Sequence, residues 1–288
     1  MRKLRITSPL GYQSQSKEDI SAYIKSGLLA HKELGFDGVD FYPQLLDLTP
    51  GRWEAAAQQA VADSKEIGMP LTVCHLPYVK GGFSNKTEAY MEDFGRKMIQ
   101  AIEVAKVLGV ETAVMHPGTY SRERRKMDAA QQFEVAKQHL TPFVEHAAKL
   151  GVNVVVENMP VKLSQLMMHR FTQEAEELIT LADYFGIGVC WDTGHANTTG
   201  CDPYAAITAL GSRLKQVHVH DNCATLDSHG IPFTGEVDWQ RVMAGLAAVE
   251  FKGAFDLEVK PDKKPAPVRM AYGRLAVEAA EHLLTMMK

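Results

Sequence analysis

Eight short apolar runs alternate with eight amphipathic ones along this chain, joined by short connections. The apolar runs cover residues 4–8, 39–42, 71–75, 112–116, 152–157, 187–192, 214–220 and 254–259, each short enough for a strand. The intervening stretches 16–34, 52–67, 87–108, 126–150, 172–185, 203–210, 238–250 and 267–287 carry apolar residues at helical spacing. Gly35, Gly68 and Gly109 mark helix stops, and Thr172 is placed to cap the fifth helix. Pro142 is expected to kink or split the fourth. The valine run at 152–156 suits a strand buried on both faces. Strict βα alternation over 288 residues predicts an α/β fold, a single (β/α)8 TIM barrel occupying 1–288 as one domain. A doubly wound open sheet would carry a glycine-rich phosphate turn after an early strand, and no G-x-G-x-x-G or Walker-type motif is present.

Composition narrows the function classes. The net charge is −4, which gives no general attraction for nucleic acid or anionic membrane. Nucleic acid is therefore a less favoured partner than a small molecule. No stretch is apolar enough for a bilayer span, and Met1 to Thr7 lacks the apolar run of a signal peptide. Cys74, Cys190, Cys201 and Cys223 form no CxxC pair. Together these favour a reduced, cytoplasmic protein.

The chemistry collects at the strand ends. Runs three to eight finish on or beside His75, His116, Glu157, Asp192, His218 and Glu258. In a barrel this end is the active face, where side chains from several strands converge. Carboxylates and imidazoles packed together repel or shift their pKa values unless a cation neutralises them, so the pattern points to a divalent metal. Asp192 has a second possible role as the cap of a following helix. His220 shares a face with His218 and reads as a ligand-orienting or substrate group, and Asp256 shares one with Glu258 and reads as a core hydrogen-bonding residue. The loop after strand seven offers Asp227 and His229, which can fold over the site. Asp238 reads as a helix start and Trp239 as packing. Tyr78 and Phe83 are candidate stacking groups, and Gly81 and Gly82 a candidate hinge. The apolar loop 159–170 is a candidate wall, and the basic cluster Arg122, Arg124, Arg125 and Lys126 a candidate phosphate contact.

The motifs His75-Leu76-Pro77-Tyr78, His116-Pro117-Gly118, Glu157-Asn158, Asp192-Thr193-Gly194-His195, His218-Val219-His220-Asp221-Asn222 and Gly235-Glu236-Val237-Asp238-Trp239 together resemble the xylose isomerase-like TIM-barrel superfamily. The resemblance to its tagatose and psicose 3-epimerase branch implies one divalent ion, Mn, Zn, Co or Mg, on Glu157, Asp192, His218 and Glu258. It also implies that Glu157 and Glu258 move a proton through a metal-stabilised enediolate. The substrate would be a small sugar or sugar phosphate. The arginine that branch places after the strand-seven histidine has no counterpart in Cys223-Ala224-Thr225. The resemblance to the endonuclease IV branch implies up to three zinc ions, with His75, His116, His195, Asp227 and His229 added to the ligand set, and abasic-site DNA as substrate. A keto-sugar or inosose lyase or dehydratase of the same superfamily is a further implication, and a homo-oligomer a possible assembly. A metal-binding barrel without catalysis is the non-enzymatic alternative.

Overall fold

The computed structural model describes residues 4–13, 17–79, 86–118, 128–161, 171–261 and 264–287. Eight parallel strands close into a barrel in sequence order: β1 (Ile6–Pro9), β2 (Gly38–Phe41), β3 (Leu71–His75), β4 (Thr112–Met115), β5 (Val154–Glu157), β6 (Gly188–Asp192), β7 (Leu214–Val219) and β8 (Phe255–Leu257). β8 pairs back onto β1 through Ile6 and Phe255, so the sheet has no free edge. The helices of the outer layer are α1 (Ile20–Leu34), α2 (Glu54–Ile67), α3 (Glu88–Leu108), α4 (Ala129–Leu150), α5 (Ala175–Phe185), α6 (Thr193–Thr199), α7 (Pro203–Leu210), α8 (Trp239–Ala248) and α9 (Ala266–Thr285).

Alternation along each strand sorts the side chains into two cores. Val39, Phe41, Cys74, Val154, Val156, Val189, Trp191, Val217, Phe255 and Leu257 join the large cluster formed with the helices. Val73, Val114, Val155, Cys190 and Ala254 form a separate, smaller cluster within the barrel. The residues two positions further along β3, β5 and β6 are His75, Glu157 and Asp192, which period-two geometry brings to the same interior at its C-terminal end. The barrel interior is thus apolar on one side at mid-height and polar at the top. Across β8, β1 and β2 the middle layer changes character: Asp256 and Asp40 are both fully buried, and the Thr7 hydroxyl donates to Asp256.

Local chemistry explains most element limits. Asp19, Thr87, Asp128, Asp202 and Asp238 each accept an N-terminal backbone N–H of the helix they precede. Gly35 (φ 87) and Gly109 (φ 67) close α1 and α3 in the left-handed region. Several expectations need correction. Thr172 caps nothing: it sits at φ 73 and its hydroxyl donates to Glu157 O, while α5 starts at Ala175. Pro142 does not split α4, which runs unbroken from Ala129 to Leu150. The Asp192-Thr193-Gly194-His195 stretch opens an additional helix, α6, of seven residues. His116, His220 and Glu258 lie just beyond β4, β7 and β8 rather than within them. No helix among the described residues is long and apolar enough to cross a membrane.

Candidate metal centre

At the C-terminal end of the barrel, β3 to β8 and the turns after them bring together His75, His116, Glu157, Asp192, His218, His220 and Glu258. His195 on α6 and Asp227 and His229 on the loop after β7 join them. Glu157 is at the centre. Its Oε1 lies 3.1 Å from His218 Nδ1 and 3.4 Å from His195 Nδ1, and its Oε2 lies 3.0 Å from His116 Nε2 and 3.6 Å from His75 Nε2. His218 Nδ1 is also 3.4 Å from Glu258 Oε2. Asp192 does two jobs: Oδ1 accepts His195 N at 2.6 Å as the cap of α6, and Oδ2 lies 3.1 Å from His220 Nε2. Asp227 faces His195 at 3.5 Å, His229 at 3.3 Å and His220 at 3.6 Å.

The orientation of the rings carries information. His75 Nδ1 donates to Leu76 O at 2.9 Å, His195 Nδ1 to Asn158 O at 2.8 Å and His229 Nδ1 to Glu258 O at 2.8 Å. Each bond fixes the tautomer with the proton on Nδ1 and leaves the Nε2 lone pair directed at a carboxylate-lined space, as a metal-ligating imidazole requires. Glu157 Oε2 lies among the imidazole nitrogens of His116 and His75, and Asp227 Oδ1 is buried with no hydrogen-bond partner among the described residues, which is costly in a closed interior. Single ligand atoms of Glu157, Asp192, His218 and Glu258 lie within 4.8 Å of one another, and so do those of three further groups: His75, Glu157 and His218; Asp192, His195 and His220; and His220, His229 and Glu258. The mixed nitrogen and oxygen set fits Mn, Co or Zn, and less well Mg.

Electrostatics point the same way. Burial alone would raise the Glu157 carboxyl, but His218 and His116 hold it well below the usual carboxylate range. Burial likewise opposes ionisation of Glu258, and His229 and His218 bring it down to about 2. Against the opposing effect of burial, Glu157 raises His75 to about 8, and Asp192 and Asp227 raise His195 to about 10. Both histidines thus take up protons as counter-charge to the carboxylates, a role a bound cation replaces. His116 goes the other way, because burial outweighs Glu157.

Some contributors were not anticipated from sequence. The Tyr42 hydroxyl donates to Glu258 Oε1 at 3.1 Å. Asn158 bridges β5 and β6, accepting Asp192 N at 2.6 Å and donating to Asp192 O at 3.0 Å. Burial and then Asp256 push the Asp40 carboxyl well above its usual range. Period-two counting back from Tyr42 reaches Asp40, so the alternation carried a signal for both. Asp256 matches its expected part as a core hydrogen-bonding residue. Tyr78 stacks on His116 with centroids 4.6 Å apart and is 42% exposed at the rim. Residues 81–83, 122–126 and 162–170, which hold the expected hinge, basic cluster and most of the apolar wall, lie outside the described residues. A cavity of about 1160 Å³ opens at the opposite, N-terminal end of the barrel, beside Thr112, Gly188, Lys215 and Gly253. None of the residues converging at the C-terminal end lines it, and that end of a barrel serves stability rather than chemistry.

Comparison with known proteins bears on the family and the fold. The chain is similar to a probable endonuclease 4 of Mesomycoplasma hyopneumoniae, 26% identical over 174 residues that make up 57% of this chain and 58% of that one. It spans about half to two thirds of the length of this relative and of two uncharacterised ones, from Sinorhizobium fredii and Methanocaldococcus jannaschii. Two solved structures superpose over nearly the whole chain. A D-tagatose 3-epimerase-like protein gives a TM-score of 0.76 at 20% identity, with 99% of this chain and 97% of that one covered. A D-allulose 3-epimerase from Methylomonas sp. gives 0.73 at 17% identity, covering 98% and 99%. At such identities the likeness establishes the fold. Residues 28–285 match the xylose isomerase-like TIM barrel family, and the chain belongs to it.

Proposed function

We propose that this protein is a metal-dependent isomerase or epimerase of a small sugar or sugar phosphate, with Glu157 and Glu258 as the proton-moving pair. The observation that carries the reading is the convergence of Glu157, Asp192, His218 and Glu258, whose ligand atoms lie within 4.8 Å of one another. These four would hold one divalent ion. Such an ion supplies Lewis acidity toward a substrate carbonyl and hydroxyl, which makes the neighbouring C–H acidic. Both glutamates are held in the ionised form that a general base needs. Their nearest oxygens lie 3.1 and 3.4 Å from the same His218 Nδ1, so the two carboxylates border one space. One, ionised, takes the proton from the carbon beside the carbonyl and releases it to solvent; the other, protonated from solvent for that step, delivers a proton to the opposite face of the same carbon. Tyr42 holds Glu258 Oε1, which leaves Oε2 to face the site. Tyr78 at the rim supplies an apolar face for the sugar ring. The D-tagatose 3-epimerase-like protein and the D-allulose 3-epimerase share this barrel over nearly the whole chain, which supports this reading.

A second reading has an observation of its own. Asp192, His195 and His220 form one further group and His220, His229 and Glu258 another, enough for additional ions. A multi-zinc site of that kind suits phosphodiester hydrolysis, and the endonuclease 4 relative supports it. Metal analysis of protein purified without chelator separates the two. About one divalent ion per chain is the expected result. Two to three zinc ions with cleavage of abasic-site DNA would establish the second reading, and no bound ion would refute both.

A further inference from the structure

The strand-borne ligands are fixed by the barrel, but Asp227 and His229 hang on a loop and need another anchor. The geometry points to Asp221 as that anchor: a positioning residue that sets the loop 222–237, and through it Asp227 and His229, against the strand-borne part of the site. The inference rests on the second, multi-ion reading above, in which His229 belongs to a ligand group with Asp227 beside it, and concerns a residue to which that reading gives no role.

Asp221 directly follows His220 and is 1% exposed. Its carboxylate is saturated by four donors. Oδ1 accepts Asn222 N at 2.9 Å and Val237 N at 3.1 Å. Oδ2 accepts Phe233 N at 2.9 Å and the Trp239 indole N–H at 3.0 Å. Its backbone closes a two-bond bridge with Gly230, Asp221 N to Gly230 O at 2.9 Å and Gly230 N to Asp221 O at 2.8 Å. One residue thus gathers the start, the middle and the end of the loop. The two glycines at the crossing are sterically required: a Cβ on Gly230 would meet Thr234 Oγ1 at 2.7 Å and Asp221 O at 3.1 Å, and one on Gly235 would overlap the Asp221 carboxylate.

The neighbouring Asn222 ties the same loop sideways to α6. Its amide donates to Gly194 O at 2.8 Å, and its side-chain oxygen accepts Ala224 N and the Asn197 amide, both at 2.9 Å. Ala224, His229 and Phe233 are held at positive φ, 61, 50 and 73. Non-glycine residues stay there only when their surroundings over-determine the backbone. The Asp221 carboxylate supplies that constraint at Phe233 directly and at His229 through the Gly230 bridge. Asp227 lies between the anchor points, and its carboxylate faces His195, His220 and His229.

The test is a cobalt titration by absorbance on the full chain, combined with amide hydrogen exchange. Asp221→Asn keeps the size but turns an amide N–H₂ toward two N–H donors. Trp239→Phe, which removes one donor of four and keeps the ring, serves if Asp221→Asn does not fold. Each is made in the wild type and in an Asp227→Asn/His229→Gln background. The expected result is faster exchange at 222–237 with the strand amides unchanged. A cobalt affinity about tenfold lower is expected in the wild-type background, the usual size for a partner that orients a ligand, with almost no further loss in the double-variant background. A smaller loss with the same pattern is expected for Trp239→Phe. An equal loss in both backgrounds, or unchanged loop exchange, overturns the inference. A wild type that binds no cobalt refutes the metal reading instead; the exchange data alone then decide whether Asp221 holds the loop.

Discussion

Replacing Gly194 with alanine tests how tightly the site is built into the Asp192-Thr193-Gly194-His195 turn. Gly194 lies in α6 with an ordinary helical backbone, so its lack of a side chain matters for space and not for φ. A methyl group there would overlap Cε1 and both nitrogens of the His220 imidazole. That ring is fully buried, lies 3.1 Å from Asp192 Oδ2 and stacks on His229 with centroids 4.1 Å apart. Either the ring stays and the overpacking costs ~1–3 kcal/mol, or it leaves and forfeits a charge-assisted hydrogen bond worth ~1.5–3 kcal/mol. Alanine's better helix propensity returns ~1 kcal/mol, which leaves a net loss of up to ~2 kcal/mol. For 288 residues, an unfolding entropy of ~2.1 cal/mol/K per residue converts that upper figure to a melting temperature lower by ~3 °C. Calorimetry reads the shift, and cobalt titration reads the accompanying loss of metal affinity. Gly95 in α3 has no heavy atom within 4 Å of an added Cβ, so Gly95→Ala is the matched control and leaves both quantities level or slightly improved. A Gly194→Ala protein with unchanged melting temperature and cobalt affinity would refute the close packing of His220 on α6.

Further consequences can be measured. Glu157→Gln and Glu258→Gln each abolish turnover while the circular dichroism spectrum stays native, and retained activity in both would remove them from proton transfer. Tyr42→Phe deletes a hydrogen bond to an ionised group worth ~1.5–3 kcal/mol, so kcat falls about tenfold or more with little change in metal content. An unaltered kcat would show that Glu258 needs no such partner. Removing a bound ion present at about 100 times its Kd costs ~2.7 kcal/mol of stability, which chelation reveals as a lower melting temperature, and a chelator without effect argues against a bound metal. His31 is fully buried, and burial lowers its pKa to about 4. The unfolded chain therefore binds the extra proton between about pH 6.5 and pH 4. Its contribution is intact above 6.5 and declines by about 3 kcal/mol as pH falls to 4. Denaturant titrations of the wild type and His31→Phe should converge along that window, and parallel pH profiles would contradict it.

The barrel was legible because the chain repeats one unit eight times, and because strands buried on both faces read as unbroken apolar runs such as Val154 to Val156. The positions converging at one end were legible because His75, Glu157 and Asp192 close their apolar runs. What escaped depends on partners far away in sequence. Asp221 collects donors from Phe233, Val237 and Trp239, and no local pattern announces that. Tyr42 matters only because β8 closes onto β1, the neighbour of β2, which sets Tyr42 against Glu258. α6 is a seven-residue helix, too short for a periodic signature, although Asp192 at its start was visible as a cap. Thr172 read as a cap by residue type, but its hydroxyl bonds Glu157 O across 15 residues and the helix begins three residues later.

The central claim is proton exchange at a sugar carbon between Glu157 and Glu258. The most direct measurement is deuterium wash-in from heavy water into a panel of ketoses and ketose phosphates, followed by NMR on protein loaded with manganese or cobalt. The account predicts deuterium at the carbon beside the carbonyl of at least one sugar, lost on chelation and in both Glu→Gln variants. Metal-loaded protein that exchanges no proton with any of these sugars, yet cleaves abasic-site DNA, would contradict it.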